Sequence, residues 1–257
     1  MQNLVYNIAP TVRAFSTTRH GGFSKGAFGE FNINPYCGDD AEAVKKNRSL
    51  LAEELHLNER QIILPHQTHQ TEICYINENF FCMPQTVQKE MLEGIDAVIT
   101  DVGGICIGVS TADCIPMLLY DTVYHVACAV HAGWRGTVKR IVEKAIAEMQ
   151  CLCETEPANL KAIIGPGISL EAFEVGDEVF EEFEDAGFSM SGISTKIAGK
   201  WHIDLPECNR QQLLQAGLSE ENIQLSGICT YNNPEDFFSA RRLGIKSGRI
   251  YTGIILR

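Results

Sequence analysis

The chain has 257 residues, of which 45% are hydrophobic, and a formal net charge of -12 at pH 7. This length allows one sizeable hydrophobic core, and because no linker, low-complexity tract or repeat interrupts the sequence, we expect a single domain over residues 1–257. The negative charge, with no stripe of lysine and arginine, excludes general nucleic-acid binding because phosphates would be repelled.

The sequence shows no sign of export or membrane insertion. Its amino-terminal segment lacks the basic and apolar regions of a signal peptide, and no stretch approaches the roughly 20 apolar residues that a membrane span needs. The ten cysteines are scattered, and several, such as Cys106 and Cys128, lie in apolar runs. Free buried thiols are therefore expected, which fits a reducing compartment. These features predict a cytoplasmic protein that makes no membrane contact.

Local patterns predict alternating helices and strands. The acidic cap Asp39-Asp40 precedes a helix predicted over residues 41–57, where apolar residues recur at helical spacing. Short β-branched or apolar segments then predict strands over residues 61–64, 72–76, 97–100, 105–109, 116–120 and 126–130. A turn at residues 132–133 leads into a helix predicted over residues 134–149. Further strands are predicted over residues 162–164, 201–204 and 250–255, and helices over residues 176–183 and 206–216. The mixture predicts an α/β (α+β) fold whose strand order is not readable from the sequence.

Two potential metal ligands stand at the edges of predicted strands in the middle of the chain. Cys114 ends the segment Ser110-Thr-Ala-Asp-Cys, and His131 opens the segment His-Ala-Gly-Trp-Arg-Gly. Thiolate and imidazole are both good zinc ligands, and a third ligand with one open position would make a catalytic site. Considered separately, Cys114 is equally compatible with a small buried side chain, and His131 with a structural histidine.

A third ligand is offered by the segment His66-Gln-Thr-His69. Two histidines three positions apart face together on a helix but lie on opposite faces of a strand. Pro65 and its β-favouring neighbours indicate a strand or loop, so only one histidine would point into the site. The residues alone leave the choice between them open.

An anion site is suggested by Arg135 and the turn at residues 133–136, where the predicted helix begins. Unsatisfied N–H groups and the helix dipole attract anions such as phosphate at such a point. A glycine turn with Arg135 in a surface salt bridge explains the same spacing equally well.

Seven ordered segments connect the chain with a known family. They are Phe15-Ser-Thr-Thr-Arg-His-Gly-Gly-Phe-Ser24, Gln67-Thr-His69, Asp96-Ala-Val-Ile-Thr-Asp101, Thr111-Ala-Asp-Cys114, His131-Ala-Gly-Trp-Arg-Gly136, Ile164-Gly-Pro-Gly-Ile168 and Phe237-Phe-Ser-Ala-Arg-Arg242. Together they resemble the bacterial laccase-domain family, also called polyphenol oxidase or peptidoglycan editing factor and assigned as purine nucleoside phosphorylases. The resemblance spans the chain and implies a layered α/β/β/α sandwich, similar to the cytotoxic-necrotizing-factor-like cysteine hydrolase fold.

The resemblance also implies the metal site. Its ligands would be His69, Cys114 and His131, although Thr68 and Gln70 stand where the family usually has Val and Gly. Zinc is the expected ion, and copper is less expected because blue-copper and trinuclear centres need more histidines than the seven present.

The activities implied by the resemblance are phosphorolysis of adenosine, inosine, guanosine and methylthioadenosine, and hydrolytic deamination of adenosine. The partners would be purine nucleosides and phosphate. Proton transfer would fall to Asp113 or Asp96, and Arg135 would hold phosphate. The candidate catalytic residues are Cys114, His131, Asp113 and Arg135. The candidate substrate contacts are Arg19, Asp96, Arg135, Arg241 and Arg242.

Two other functions compete with this interpretation. Cys114 could be a nucleophile with His131 as its base, in a cysteine hydrolase or amidase that acts on peptidoglycan precursors. A non-catalytic nucleotide-binding protein is the other alternative, and it would need no open metal position. Metal analysis separates the zinc enzyme from the cysteine hydrolase, because a zinc-bound thiolate is a poor free nucleophile.

Overall fold

The computed structural model describes residues 3–257. The strands are β1 (Asn3–Tyr6), β2 (Val12–Thr17), β3 (Ile62–Ile63), β4 (Ile73–Ile76), β5 (Ala97–Thr100), β6 (Cys106–Thr111), β7 (Ile115–Asp121), β8 (Val126–Ala132), β9 (Leu160–Ile164), β10 (Glu174–Val175), β11 (Ser194–Ile197), β12 (Lys200–Ile203), β13 (Ile223–Leu225) and β14 (Ile250–Leu256). The α-helices are α1 (Ala41–Leu55), α2 (Glu78–Cys82), α3 (Gln85–Met91), α4 (Trp134–Val138), α5 (Ile141–Cys153), α6 (Asp177–Asp185), α7 (Met190–Ile193), α8 (Leu205–Gln215) and α9 (Ala240–Leu243).

The strands form three sheets. A five-stranded sheet has the order β1-β2-β14-β6-β3, a six-stranded sheet has the order β13-β9-β7-β8-β5-β4, and a small sheet has the order β10-β12-β11. Parallel and antiparallel pairs occur in both large sheets. The predicted mixed α/β class is therefore confirmed.

The two large sheets pack face to face, with helices on their outer faces. On β7, Leu118 and Tyr120 pack against the five-stranded sheet, whereas Met117 and Leu119 pack towards α5 and α8. On the opposite side of the molecule, Leu51 of α1 packs against the outer face of the five-stranded sheet. Because the six-stranded sheet is covered on both faces, its central strands are unbroken apolar runs rather than alternating patterns.

The first predicted helix is confirmed, but it is shorter than expected. Its beginning is fixed by Asp40, whose side chain accepts a hydrogen bond from the N–H of Ala43 at 2.8 Å. It ends at Leu55 because His56 has the left-handed φ of 57°. No helix among residues 3–257 is long and apolar enough to cross a membrane.

The prediction of one continuous helix over residues 134–149 is wrong. Arg140 has the left-handed φ of 62°, which separates α4 from α5. Its guanidinium donates to the carbonyl of Ala186 at 2.8 Å and lies 3.7 Å from the centroid of the Phe188 ring. These tertiary contacts hold the break, which no glycine or proline marks in the sequence.

The predicted strands are found within a few residues of their expected positions, but other elements were missed. The largest omissions are β1 and β2 at the amino terminus and the helices α2 and α3. The short elements β10, β11, β13, α7 and α9 were also missed. Most of these lie at sheet edges or on the surface, where the hydrophobic pattern is weak.

Candidate metal centre

The pairing of β7 with β8 brings Cys114 to His131. The chain crosses from the five-stranded to the six-stranded sheet between β6 and β7, and Cys114 lies in this crossing. In the antiparallel register, Pro116 stands opposite His131 and Ile115 opposite Ala132. The beginning of β7 therefore lies beside the end of β8, which places the thiol next to the imidazole.

His69 reaches the same point from the loop after β3. Because β3 runs parallel to β6, the loops that follow the two strands emerge at the same edge of the sheet. Gln67 fixes this loop against β6, since its side chain accepts from the N–H of Ser110 at 2.8 Å and donates to the carbonyl of Ser110 at 3.0 Å. His69 itself has the left-handed φ of 62°.

Asp96 holds the loop and one histidine at the same time. Its side chain is fully buried and accepts from the backbone N–H groups of Thr68, His69 and Gln70 at 3.3, 3.1 and 2.7 Å. Its Oδ1 also lies 2.7 Å from Nδ1 of the buried His131. With the Nδ1 proton donated to the carboxylate, Nε2 of His131 is left free to bind a metal.

The three predicted ligands form one cluster. The ligand atoms of His69, Cys114 and His131 all lie within 4.8 Å of one another, and among residues 3–257 they are the only such group of three or more metal-binding side chains. Gly133 allows this approach, because a Cβ there would lie 3.0 Å from Cδ2 of His69 and 3.1 Å from Sγ of Cys114. Two imidazoles and a thiolate fit a zinc ion that keeps a fourth position open.

Cys114, His131 and Asp96 shift one another's pKa values. Burial alone raises the pKa of the Cys114 thiol, but the charge and hydrogen bond of His131, followed by those of His69, lower it to about 6. Burial alone lowers the pKa of His131, but Cys114 and Asp96 raise it to about 9. Burial also opposes the ionisation of Asp96, yet His131 and the backbone N–H groups hold its pKa below the ordinary value. Without metal, these groups form a thiolate and an imidazolium oriented by a carboxylate.

A cavity of about 810 Å³ opens beside the cluster. Its lining includes all three candidate ligands and the aromatic side chains of Tyr36, Trp134 and Phe173. This volume lies in the range of small-molecule sites, and mostly apolar walls with a few polar groups are typical of them.

His66 lines the cavity without joining the cluster. Its ring stacks on Tyr36 with centroids 4.2 Å apart, and its Nδ1 lies 2.6 Å from a carboxylate oxygen of Glu93. The geometry therefore places His69, and not His66, with Cys114 and His131.

The two candidate carboxylates occupy different places. Asp96 does not line the cavity, because it is enclosed behind the ligands. Asp113 lines the cavity with a φ of 88°, and its oxygens accept from the hydroxyl of Thr230 at 2.8 Å and from the backbone N–H of Arg241 at 2.7 Å.

Only one of the predicted arginines reaches the cavity, and that is Arg241. Arg135 is exposed, and its guanidinium lies 4.2 Å from the centroid of its neighbour Trp134. The guanidinium of Arg19 donates to the carbonyls of Gly29 and Pro234, so it holds loops together. Arg242 likewise donates to a carbonyl away from the cavity.

Lys246 and Arg249 line the cavity and were missed from the sequence. They follow the segment Phe237-Phe-Ser-Ala-Arg-Arg242 within seven residues. The signal that could have identified them is a run of cations and glycines directly after a recognised motif.

The chain is similar to a described family and to named relatives. Residues 13–257 match the family model described as multi-copper polyphenol oxidoreductase laccase. A Bacteroides thetaiotaomicron protein named purine nucleoside phosphorylase is 46% identical over 244 residues, which cover 94% of this chain and 90% of that protein. A protein named adenosine deaminase RL5, from an unknown prokaryotic organism, is 43% identical over 245 residues, which cover 95% of this chain and 93% of that protein. The crystal structure of YlmD from Geobacillus stearothermophilus has a TM-score of 0.88 at 30% identity, covering 97% of this chain and 94% of that chain.

Proposed function

Since the chain belongs to the multi-copper polyphenol oxidoreductase laccase family, as its motifs predicted, we propose that it is a zinc-dependent purine nucleoside phosphorylase that also deaminates adenosine. The observation that carries the proposal is the cluster of His69, Cys114 and His131 at the wall of a cavity of about 810 Å³, which is large enough for a nucleoside. The names of the two relatives support the two activities.

The proposed substrates are adenosine, inosine, guanosine and methylthioadenosine, with phosphate as the second substrate. A purine base offers two flat faces and hydrogen-bonding edges, and the aromatic side chains of Tyr36, Trp134 and Phe173 supply apolar surface for the faces. The amide of Gln67 is committed to Ser110, so it shapes the wall rather than contacting the base.

Zinc is the proposed resident metal, because two imidazoles and a thiolate with an open fourth position suit a hydrolytic zinc site. The multi-copper description would require further clusters of histidine, whereas the described residues contain one group of suitable ligands. When bound, zinc supplies Lewis-acid chemistry and activates water for hydrolysis.

The residues of the chain would orient the reactants and move protons. Asp96 keeps His131 in the tautomer that binds metal, and this makes it a positioning residue. Asp113 is the proposed proton carrier: it lines the cavity, and a carboxylate has about four lone-pair sites, so the two hydrogen bonds that it accepts leave capacity for a proton.

Incubation of the purified protein with adenosine tests this function. With phosphate present, chromatography should detect adenine and ribose phosphate, whereas without phosphate it should detect inosine. The protein should contain about one zinc per chain, and Cys114→Ala should lose the metal together with both activities. Zinc-loaded protein that releases neither base nor inosine would contradict the proposal, and copper in place of zinc would contradict the metal assignment.

A cysteine hydrolase or amidase acting on peptidoglycan precursors is the second candidate. It is favoured by the Cys114 thiol with a pKa of about 6 beside His131, which Asp96 orients. Stoichiometric zinc that protects Cys114 from alkylation would exclude it, whereas metal-free purified protein with a rapidly alkylated Cys114 would favour it.

We also propose that residues 1–257 form one domain with the α/β/β/α sandwich of the cytotoxic-necrotizing-factor-like cysteine hydrolases. The succession of α1, two large sheets, and α5 with α8 supports this assignment. Limited proteolysis should leave the domain uncut between its two sheets.

A further inference from the structure

The cavity has the opposite charge character to the chain as a whole. Three cationic side chains, Arg241, Lys246 and Arg249, line it, although the chain carries a net charge of -12. Asp113 is the one carboxylate in the described lining, so the three cationic side chains outnumber it. A concave surface with this excess of positive charge attracts and concentrates anions.

The charges of the three cations are only partly balanced by the protein, since Lys200 mainly, and Arg241 to a smaller extent, lower the pKa of the Glu174 carboxylate. None of them forms an ion pair with a carboxylate in the part of the chain that the structure describes. Arg241 donates to the carbonyl of Glu174 at 3.0 Å, and Arg249 donates to carbonyls of its own loop. Neutral carbonyl partners fix these side chains and leave their positive charge available to a ligand.

The contacts of Arg249 and Arg241 position the segment that carries Lys246. The guanidinium of Arg249 donates to the carbonyls of Ile245 and Ser247 at 3.0 and 2.7 Å, which closes the loop at residues 245–249. The backbone N–H of Arg241 is held by Asp113, the residue directly before Cys114. The cationic segment is therefore tied to a metal-ligand segment, while the ammonium group of Lys246 makes no hydrogen bond or ion pair among the described residues.

We propose that Arg241, Lys246 and Arg249 bind the inorganic phosphate that attacks the nucleoside, an assignment that rests on the phosphorylase function proposed above. A phosphate oxygen forms a bond to C1′ of the ribose as the bond from C1′ to the base nitrogen breaks. The bonding electron pair leaves with the base, which takes up a proton, and ribose 1-phosphate is the other product. The cations hold the phosphate against C1′, where positive charge develops in the transition state.

The same geometry removes Arg135 from this role. Its guanidinium lies over Trp134 on the exposed side of α4, outside the cavity lining, and α4 is a single short helix of five residues. Deamination consumes water and releases ammonia, so it needs no phosphate site. Loss of the cations should therefore separate the two activities.

Steady-state kinetics of Lys246→Gln and Arg241→Gln test the assignment, with Arg135→Gln as the rival variant. Lys89→Gln, an exposed lysine outside this cavity, is the matched control. Because a hydrogen bond to a charged group is worth about 1.5–3 kcal/mol, each cavity variant should raise the KM for phosphate in inosine phosphorolysis by about tenfold or more. The loss in adenosine deamination without phosphate should be several-fold smaller than the loss in phosphorolysis, and Arg135→Gln should behave like the control.

Unchanged KM for phosphate in both cavity variants, or a rise only in Arg135→Gln, would overturn the assignment. Calorimetric titration of zinc-loaded protein with inorganic phosphate separates this failure from failure of the enzyme function. Phosphate binding that is lost in Lys246→Gln, in a protein without phosphorolysis, would support the site and reject the phosphorylase. If Lys246→Gln weakens adenosine 5′-monophosphate but leaves phosphate unchanged, the cations bind a nucleotide phosphate and the proposal is wrong.

Discussion

Asp96→Asn tests whether one buried carboxylate holds the metal ligands in place. The carboxylate accepts hydrogen bonds from Nδ1 of His131 and the N–H of His69 on Oδ1, and from the N–H groups of Thr68 and Gln70 on Oδ2. Asparagine has nearly the same shape but only one accepting oxygen, so two of the four donors lose their acceptor whichever way the amide turns.

Both orientations of the amide are costly. If its oxygen faces His131, its NH₂ group faces the backbone N–H groups of Thr68 and Gln70. If it is turned round, its NH₂ group forces the proton of His131 from Nδ1 to Nε2, the atom needed for the metal. Each unsatisfied buried donor costs about 1–3 kcal/mol, so the free energy of unfolding should fall by about 2–6 kcal/mol. Zinc affinity should fall about 10- to 100-fold.

Urea unfolding of the zinc-free protein and zinc competition with a chromophoric chelator measure the two effects. Asp121→Asn is the matched control, since Asp121 is equally buried but accepts only through Oδ1, from the N–H groups of Val123 and Tyr124. The control should keep wild-type zinc affinity. An Asp96→Asn protein that binds zinc within about twofold of wild type would refute the positioning role.

Three further experiments probe the same centre. Gly133→Ala, which places a Cβ against two ligands, should lower zinc affinity at least about tenfold by the chelator assay, whereas Gly192→Ala, with its nearest neighbour at 3.7 Å, should not. In zinc-free protein, alkylation of Cys114 should be half-maximal near pH 6, and a midpoint near the ordinary value of 9.0 would contradict the pairing. Because folding lowers the pKa of Cys114 and raises that of His131, the stability that the pair contributes is lost as the pH falls through about 6 and as it rises through about 9. Zinc analysis should find the metal retained in His66→Ala and lost in His69→Ala, and the reverse result would move the third ligand to His66.

The sequence was most informative where structure depends on residues that are close together along the chain. The helix over residues 41–57 was predicted because capping and helical spacing depend on near neighbours, and only its end was misplaced. Cys114 and His131 were recognisable as a potential zinc pair by residue type and by the motifs that surround them. Local rules failed at Arg140, where contacts with Ala186 and Phe188, more than forty residues away, interrupt the helix.

By itself, the sequence determined the family, the mixed α/β class and the residue types that can bind a metal. Only the tertiary structure decided which of these residues meet, because the pairing of β3 with β6 and of β7 with β8 joins segments that are distant along the chain. The structure places His69 next to Cys114 and Asp96 behind the ligands. It also shows that the cations lining the cavity are Arg241, Lys246 and Arg249, and that Arg135 lies outside the lining. Spacing in a sequence records which residues follow one another, whereas a site is built by strand register and loop direction, which depend on packing across the whole fold.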